Sequence, residues 1–182
     1  MTMPTETKDL IIPAVHVKSN DITINKTEPH ELIKRKAIRS QIYALQNSLF
    51  ELVASNEAPK EMGVLKHYFI KGLYARELFI PAGTAMVSKL HKFPRLCMIM
   101  QGEVTFTTEY GSKRVVAPYT AEFLPGSKVA LYTHSDVIWT AIFATDYTDI
   151  DTIEDYLTAE NHDDYDIFCK SLSIKEGEES CL

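Results

Sequence analysis

The spacing of apolar residues along this chain changes period twice. Over residues 1–27 apolar and polar positions alternate around IIPAVHVKSNDITI, but Pro13 and the Asn20-Asp21 pair interrupt any strand. That segment reads as an arm lying on another surface. From Thr27, an N-cap followed by Glu28, Pro29 and Glu31, the period becomes helical and holds to about Ser55. Ile38, Ile42, Leu45, Leu49 and Leu52 recur three and four residues apart and so share one stripe, which requires burial against a barrel or a partner chain.

From about Val64 to Thr145 short β-rich runs take over: LYARELFI, TAMVSKL, LCMIM, EVTFTTEY, KRVVA, AEFL, KVALYT and VIWTAIFA. They are separated by Pro81-Ala82-Gly83, Gly102, Gly111-Ser112, Pro118, Pro125-Gly126 and His134-Ser135-Asp136. Turn chemistry at such short intervals, with no helices between strands, predicts a mainly β sandwich or jelly roll and excludes a parallel β-α-β sheet. After Thr145, TDIDTIEDYLTAE predicts a short acidic helix with Ile150, Ile153 and Leu157 on one face, and IKEGEESCL reads as a disordered tail. The expected organisation is an arm and amphipathic helix (1–61), a barrel (62–146), a short helical segment (147–170) and a tail (171–182).

Composition narrows the partners. A 182-residue chain that is 45% hydrophobic can bury one real core. A net charge of −6 argues against general binding to nucleic acid or an anionic membrane, and the one dense basic run, KRKAIR, reads as the wet side of the helix. MTMPTETKDL lacks the pattern of a secretion signal and no segment is apolar enough to span a membrane, so a cytoplasmic setting is expected, the host's if the protein is phage-encoded. Cys97, Cys169 and Cys181 are an odd number without CxxC spacing, which suggests neither a disulfide framework nor a zinc knuckle. No nucleophile motif or Walker-type loop is present, and Tyr74, Tyr110, Tyr119 and Tyr132 read as structural.

The segment Gly83 to Gly102 has the spacing of the first cupin motif, with Lys89, His91 and Arg95 at the three positions that cupins fill with metal ligands. LPGSKVALYT resembles the second motif, with Gly126 as its glycine and Val129 where a last histidine would stand. Over roughly residues 62 to 150 the chain resembles small cupin-fold proteins of tailed bacteriophages. YARELFIPAGT, KLHKF, QGEVTFTTEYG, KRVVAPYT, LPGSK and THSDVIWTAI carry that resemblance. The resemblance implies a cupin-type jelly-roll barrel with a long N-terminal and a short C-terminal helix, often paired as a homodimer. It also implies histidines in the group where this chain has Arg95 and Phe143, with His91 and His134 matching.

A cupin metal needs several neutral imidazoles or a carboxylate converging on one cation. Only His91 of the four motif positions offers one, and Lys89 and Arg95 would repel a divalent ion by several kcal/mol at an effective dielectric near ~20. His134 is the alternative second ligand, but THSD reads as a hairpin turn. Glu103 reads as solvent-facing, and His16, His30, His67 and His162 as surface or capping residues. The same residues make better sense as an anion site: on one strand face Lys89, His91 and Arg95 would converge in the lumen, where Arg clamps a carboxylate or phosphate and Lys adds a point charge. The competing reading pairs them with a carboxylate such as Glu77 or Glu122. The expected function is a phage-type accessory protein that binds a small anionic ligand, or a protein partner, without catalysis and without a cofactor. The alternative is a cupin enzyme, metal-assisted through His91 and His134 or a metal-free isomerase.

Overall fold

The computed structural model describes residues 29–55 and 64–179, with side chains through residue 172. The expected arm, the Thr27 cap and Cys181 lie outside the described residues. Helix α1 (Pro29–Ala54) is followed by ten strands: β1 (Leu65–Ile70), β2 (Leu73–Ile80), β3 (Ala85–Val87), β4 (Leu90–His91), β5 (Arg95–Gln101), β6 (Glu103–Thr108), β7 (Gly111–Val116), β8 (Tyr119–Phe123), β9 (Ala130–Thr133) and β10 (Val137–Ala144). Helix α2 (Ile150–Leu157), the short strand β11 (Thr158–Ala159) and helix α3 (His162–Glu179) complete it.

All pairings are antiparallel. A five-stranded sheet, β1-β2-β10-β5-β8, faces a four-stranded one, β3-β9-β6-β7, and β4 pairs with β11 beside them. This is the cupin-type jelly-roll barrel. Its core joins Ile80, Ile99, Phe123 and Trp139 of the first sheet to Val104, Phe106, Val115 and Leu131 of the second. Gly83, Gly102, Gly111 and Gly126, all at positive φ, turn the chain at breaks expected from the sequence, and at Gly102 (φ 87°) a Cβ would collide with the Asp136 carbonyl oxygen.

One row across the first sheet sets a charge among small residues. Arg76 of β2 stands opposite Ala141 of β10, Ala141 opposite Cys97 of β5, and Cys97 opposite Ala121 of β8. Three small side chains therefore extend from the arginine on one side, with His67 of β1 on the other, and the barrel is left unfilled on the small side. The rows on either side are bulky: Leu78, Trp139, Ile99 and Tyr119 in one, Phe69, Tyr74 and Phe143 in the other.

Three features depart from the sequence reading. LKHYFI does not stand out as a strand in the sequence, because Lys66 and His67 interrupt its apolar run; it forms β1 as one arm of a hairpin around Gly72. The C-terminal helical segment is two helices, and α3 continues through Glu179 where a tail from 171 is expected. Its side chains give the reason it docks: Phe168 meets Phe93 edge-on at 5.5 Å, and Asn161 caps the helix by accepting from Asp164 N at 2.9 Å.

The third departure is the roll of α1. Of the expected stripe only Ile42 is buried, while Leu45 and Leu52 remain 38% and 41% exposed. Polar contacts turn the helix toward its neighbouring face. Arg39 Nη2 donates to Glu109 Oε1 at 2.6 Å, Tyr43 Oη lies 2.9 Å from His162 Nδ1, and the Arg35 guanidinium sits 4.8 Å over the Tyr110 ring. The cost of a buried charge therefore falls at Ile42. Ile42→Asp should lower stability by about 3 kcal/mol, whereas Leu45→Asp should cost under about 1. Thermal melts compare the two directly, and sedimentation of Leu45→Asp reports whether the exposed margin pairs two copies.

Candidate anion site in the barrel lumen

The barrel's interior is set by the pleat. Along β2 the residues Tyr74, Arg76, Leu78 and Ile80 share the inner face. Along β3 and its continuation the inner residues are Met86 and Ser88, yet His91 also lines the lumen. The parity flips because the strand breaks at Ser88-Lys89 before β4 resumes. Lys89 keeps the outward parity that follows from Ser88, while the flip brings His91 inward: the Lys89 side chain is 53% exposed and pairs with Glu154 at 3.3 Å. The expected convergence of Lys89, His91 and Arg95 is thus met by His91 and Arg95, and Arg76 supplies the second cation.

His91 and Arg95 are 3% and 4% exposed. Residues from several elements fix them. His91 pairs with Thr158 of β11, its carbonyl accepts from Gly126 N at 2.8 Å, and its ring stacks on Phe143 at 5.6 Å. Arg95 Nη1 donates to Ser127 Oγ at 3.3 Å, and the guanidinium lies 5.1 Å over the Phe123 ring. Val129, at the fourth motif position, lines the lumen as well. The Nδ1 of His91 is buried without a hydrogen-bond partner.

Charge is unbalanced here. Glu77 pairs outward with Lys66 at 2.8 Å, and Glu122 lies on the outer face of β8, so neither neutralises the interior. Among the described residues no carboxylate comes within ion-pair distance of Arg76 or Arg95. Burial lowers the Arg95 pKa, with Arg76 adding to the effect, yet a guanidinium stays protonated. Burial pushes His91 well below its ordinary value, and the charges of Arg95 and Arg76 push it further, so the imidazole is neutral near pH 7. The lumen thus holds two cations around a neutral base.

Arg76 and His91 line two neighbouring cavities, and Arg95 lines the inner one. The inner one, about 60 Å³, lies between the sheets and is otherwise walled by hydrocarbon, Met86, Trp139 and the Ser88 hydroxyl. The second, about 190 Å³, lies between the inner face of β1 and β2 and helix α2, and Arg76 and His91 belong to both walls. In it His67 Nδ1 lies 2.8 Å from Tyr74 Oη, so His67 is a half-buried residue of the chamber wall rather than the surface one expected. His162 likewise sits half-buried against Tyr43 and Glu109.

The residues do not fit a cupin metal. His134 is exposed on the β9–β10 turn with Nε2 2.8 Å from Thr105 Oγ1, and it lines neither cavity that His91 lines. Among the described residues no three His, Cys, Asp or Glu side chains converge as a metal site, and two guanidiniums flank the imidazole of His91. No described helix is long and apolar enough to cross a membrane.

Gly126 holds this arrangement together. Its φ is 73°, and a Cβ there would stand 2.6 Å from the Tyr165 ring, inside contact distance. Gly126→Ala should cost about 1–3 kcal/mol. It should also weaken any anion response, since Ser127 beside it holds Arg95; the variant's melt with and without anion checks both.

No family model matches the chain, and no curated protein matches it either. Solved structures do resemble it over about half its length. Ectoine synthase from P. lautus aligns at 12% identity and TM-score 0.45, covering 54% of this chain and 75% of that one. KdgF from Halomonas sp. aligns at 14% and 0.43, covering 50% and 88%. The Cupin_2 domain of an XRE family transcriptional regulator from Enterobacter cloacae aligns at 13% and 0.41, covering 46% and 97%. At these identities the likeness concerns the fold only, and ligand chemistry is a matter for this chain's own residues.

Proposed function

We propose that the barrel lumen binds a small anion without turning it over. The supporting observation is the pair of guanidiniums, Arg95 buried and Arg76 half-buried, that meet no carboxylate among the described residues. An uncompensated buried charge destabilises a fold by several kcal/mol, and a counter-anion removes that cost. The resemblance to small phage cupin-fold proteins supports an accessory role for such a binder. At an anion concentration ten times its Kd the folded state gains about 1.4 kcal/mol, a rise in Tm of roughly 3–5 °C. Melts in acetate or phosphate against chloride at equal ionic strength should show that rise, and EDTA should leave the melt unchanged. A melt that no anion moves contradicts the proposal.

A second reading, catalysis, draws on the His67–Tyr74 hydrogen bond in the adjoining chamber, where an acid-base pair stands beside a cationic end. It predicts deuterium uptake from solvent at the carbon next to a bound carboxylate, abolished in Tyr74→Phe. Binding without exchange leaves the first reading in place.

A further inference from the structure

The chamber beside the lumen identifies what kind of anion fits, an inference that rests on the lumen binding an anion at all. Its polar side chains are largely satisfied by one another. His67 and Tyr74 share a hydrogen bond at 2.8 Å, Thr158 Oγ1 donates to the Glu154 carbonyl at 2.7 Å, and the Glu154 carboxylate pairs with Lys89 at 3.3 Å. The rest of the wall is hydrocarbon and aromatic: Leu65, Phe143, Ile150, Ile153 and Leu157. Unsatisfied polarity is confined to one end, at Arg76 and at His91 with its unpartnered buried Nδ1. The chamber is therefore apolar in what it offers a ligand, except at Arg76 and His91 in its wall.

The cationic end discriminates among anions. Beyond Arg76, His91 and Arg95 the inner cavity is about 60 Å³ and lined by residues such as Ile80, Leu131 and Trp139. The hydroxyl in its wall, on Ser88, already donates to the Lys89 carbonyl and accepts from Val129 N. A planar carboxylate can satisfy both oxygens on the guanidiniums. The third oxygen of a phosphate dianion would face hydrocarbon, which is costly.

We propose that the ligand class is a monocarboxylate on an apolar body, with its head at Arg76 and Arg95 and its alkyl or aryl body in the α2 chamber. The chamber volume sets the body's size, since an apolar cavity of roughly 150 Å³ accommodates benzene. At about 190 Å³ this one takes a six-carbon chain or a single ring.

The test is a titration series on the full chain at constant ionic strength: formate, acetate, butyrate, hexanoate, benzoate, inorganic phosphate and hexylamine. Affinity should rise roughly fourfold per methylene up to about six carbons. Benzoate should match hexanoate, phosphate should bind more weakly than either, and hexylamine should not bind. In Leu65→Trp, a replacement at a chamber-wall position that is 46% exposed, acetate should bind as before while the gain with chain length disappears. Equal affinities for acetate and hexanoate, or phosphate binding tighter than hexanoate, overturn the ligand class but leave the anion seat intact. A gain with chain length that survives in Leu65→Trp puts the body outside the chamber and also overturns it. Silence across every anion overturns the anion seat itself, and the ligand class with it.

Discussion

Replacing Arg95 with methionine should make the ligand-free protein more stable, by about 1–3 kcal/mol, while abolishing its response to anions. The side chain is 4% exposed with no carboxylate partner among the described residues, so its charge is held at the fold's expense. Methionine fills a similar volume without that charge. Ser127, its hydrogen-bond partner, keeps a bond to the Leu124 carbonyl at 2.6 Å and is not orphaned. For a chain of this length the Tm should rise by roughly 3–9 °C. The His91 pKa should also move back up, because Arg95 is the largest charge effect holding it down after burial. Stability that rises while binding vanishes is the mark of a strained functional group. A lower Tm for Arg95→Met would mean that its contacts with Phe123 and Ser127 outweigh the charge.

The second large effect is expected at the junction of α1, α3 and the β6–β7 turn. Glu109 is 2% exposed, 2.6 Å from Arg39 and 3.8 Å from His162. Arg39→Ala strands that carboxylate and should cost about 3 kcal/mol, whereas Arg39→Met combined with Glu109→Met should recover most of the loss. Burial acts upward on the Glu109 pKa, but the His162 ring 3.8 Å away and the hydrogen bond and charge of Arg39 outweigh it and hold the carboxyl below its ordinary 4.5. Its stabilising contribution is therefore complete above that value and is lost as pH falls through the folded pKa. His91 acts earlier in an acid titration. Its folded pKa lies below the ordinary 6.5, so the unfolded chain takes up a proton the folded one refuses, and stability declines as pH drops below that point. Acid melts should show both windows, with the lower one weakened in the double methionine variant.

Much of the fold is legible in the sequence, and what is not has specific causes. The strands follow from their apolar runs, and the glycine spacing places His91 and Arg95 in the barrel. Lys89 faces outward while His91 faces inward because a two-residue break reverses which side chains point inward, and a break of that kind leaves no mark in the spacing. Arg76 does carry a signal: in YARELFI it occupies the same face as Tyr74, Leu78 and Ile80, a charge on an otherwise apolar period-2 row. Glu109 carries none. In TTEYGSK it reads as part of a solvated turn, and its burial comes from Arg39 and His162, far away along the chain. The helix stripe is apolar as its spacing indicates, but those same polar contacts roll α1 away from it.

The most direct test of the central claim is an anomalous difference map from crystals soaked in iodide. The account predicts a peak in the barrel lumen beside the Arg76 and Arg95 guanidiniums, absent from Arg95→Met crystals under the same soak. Iodide confined to surface sites in the native protein, with the lumen empty of anion, would contradict it.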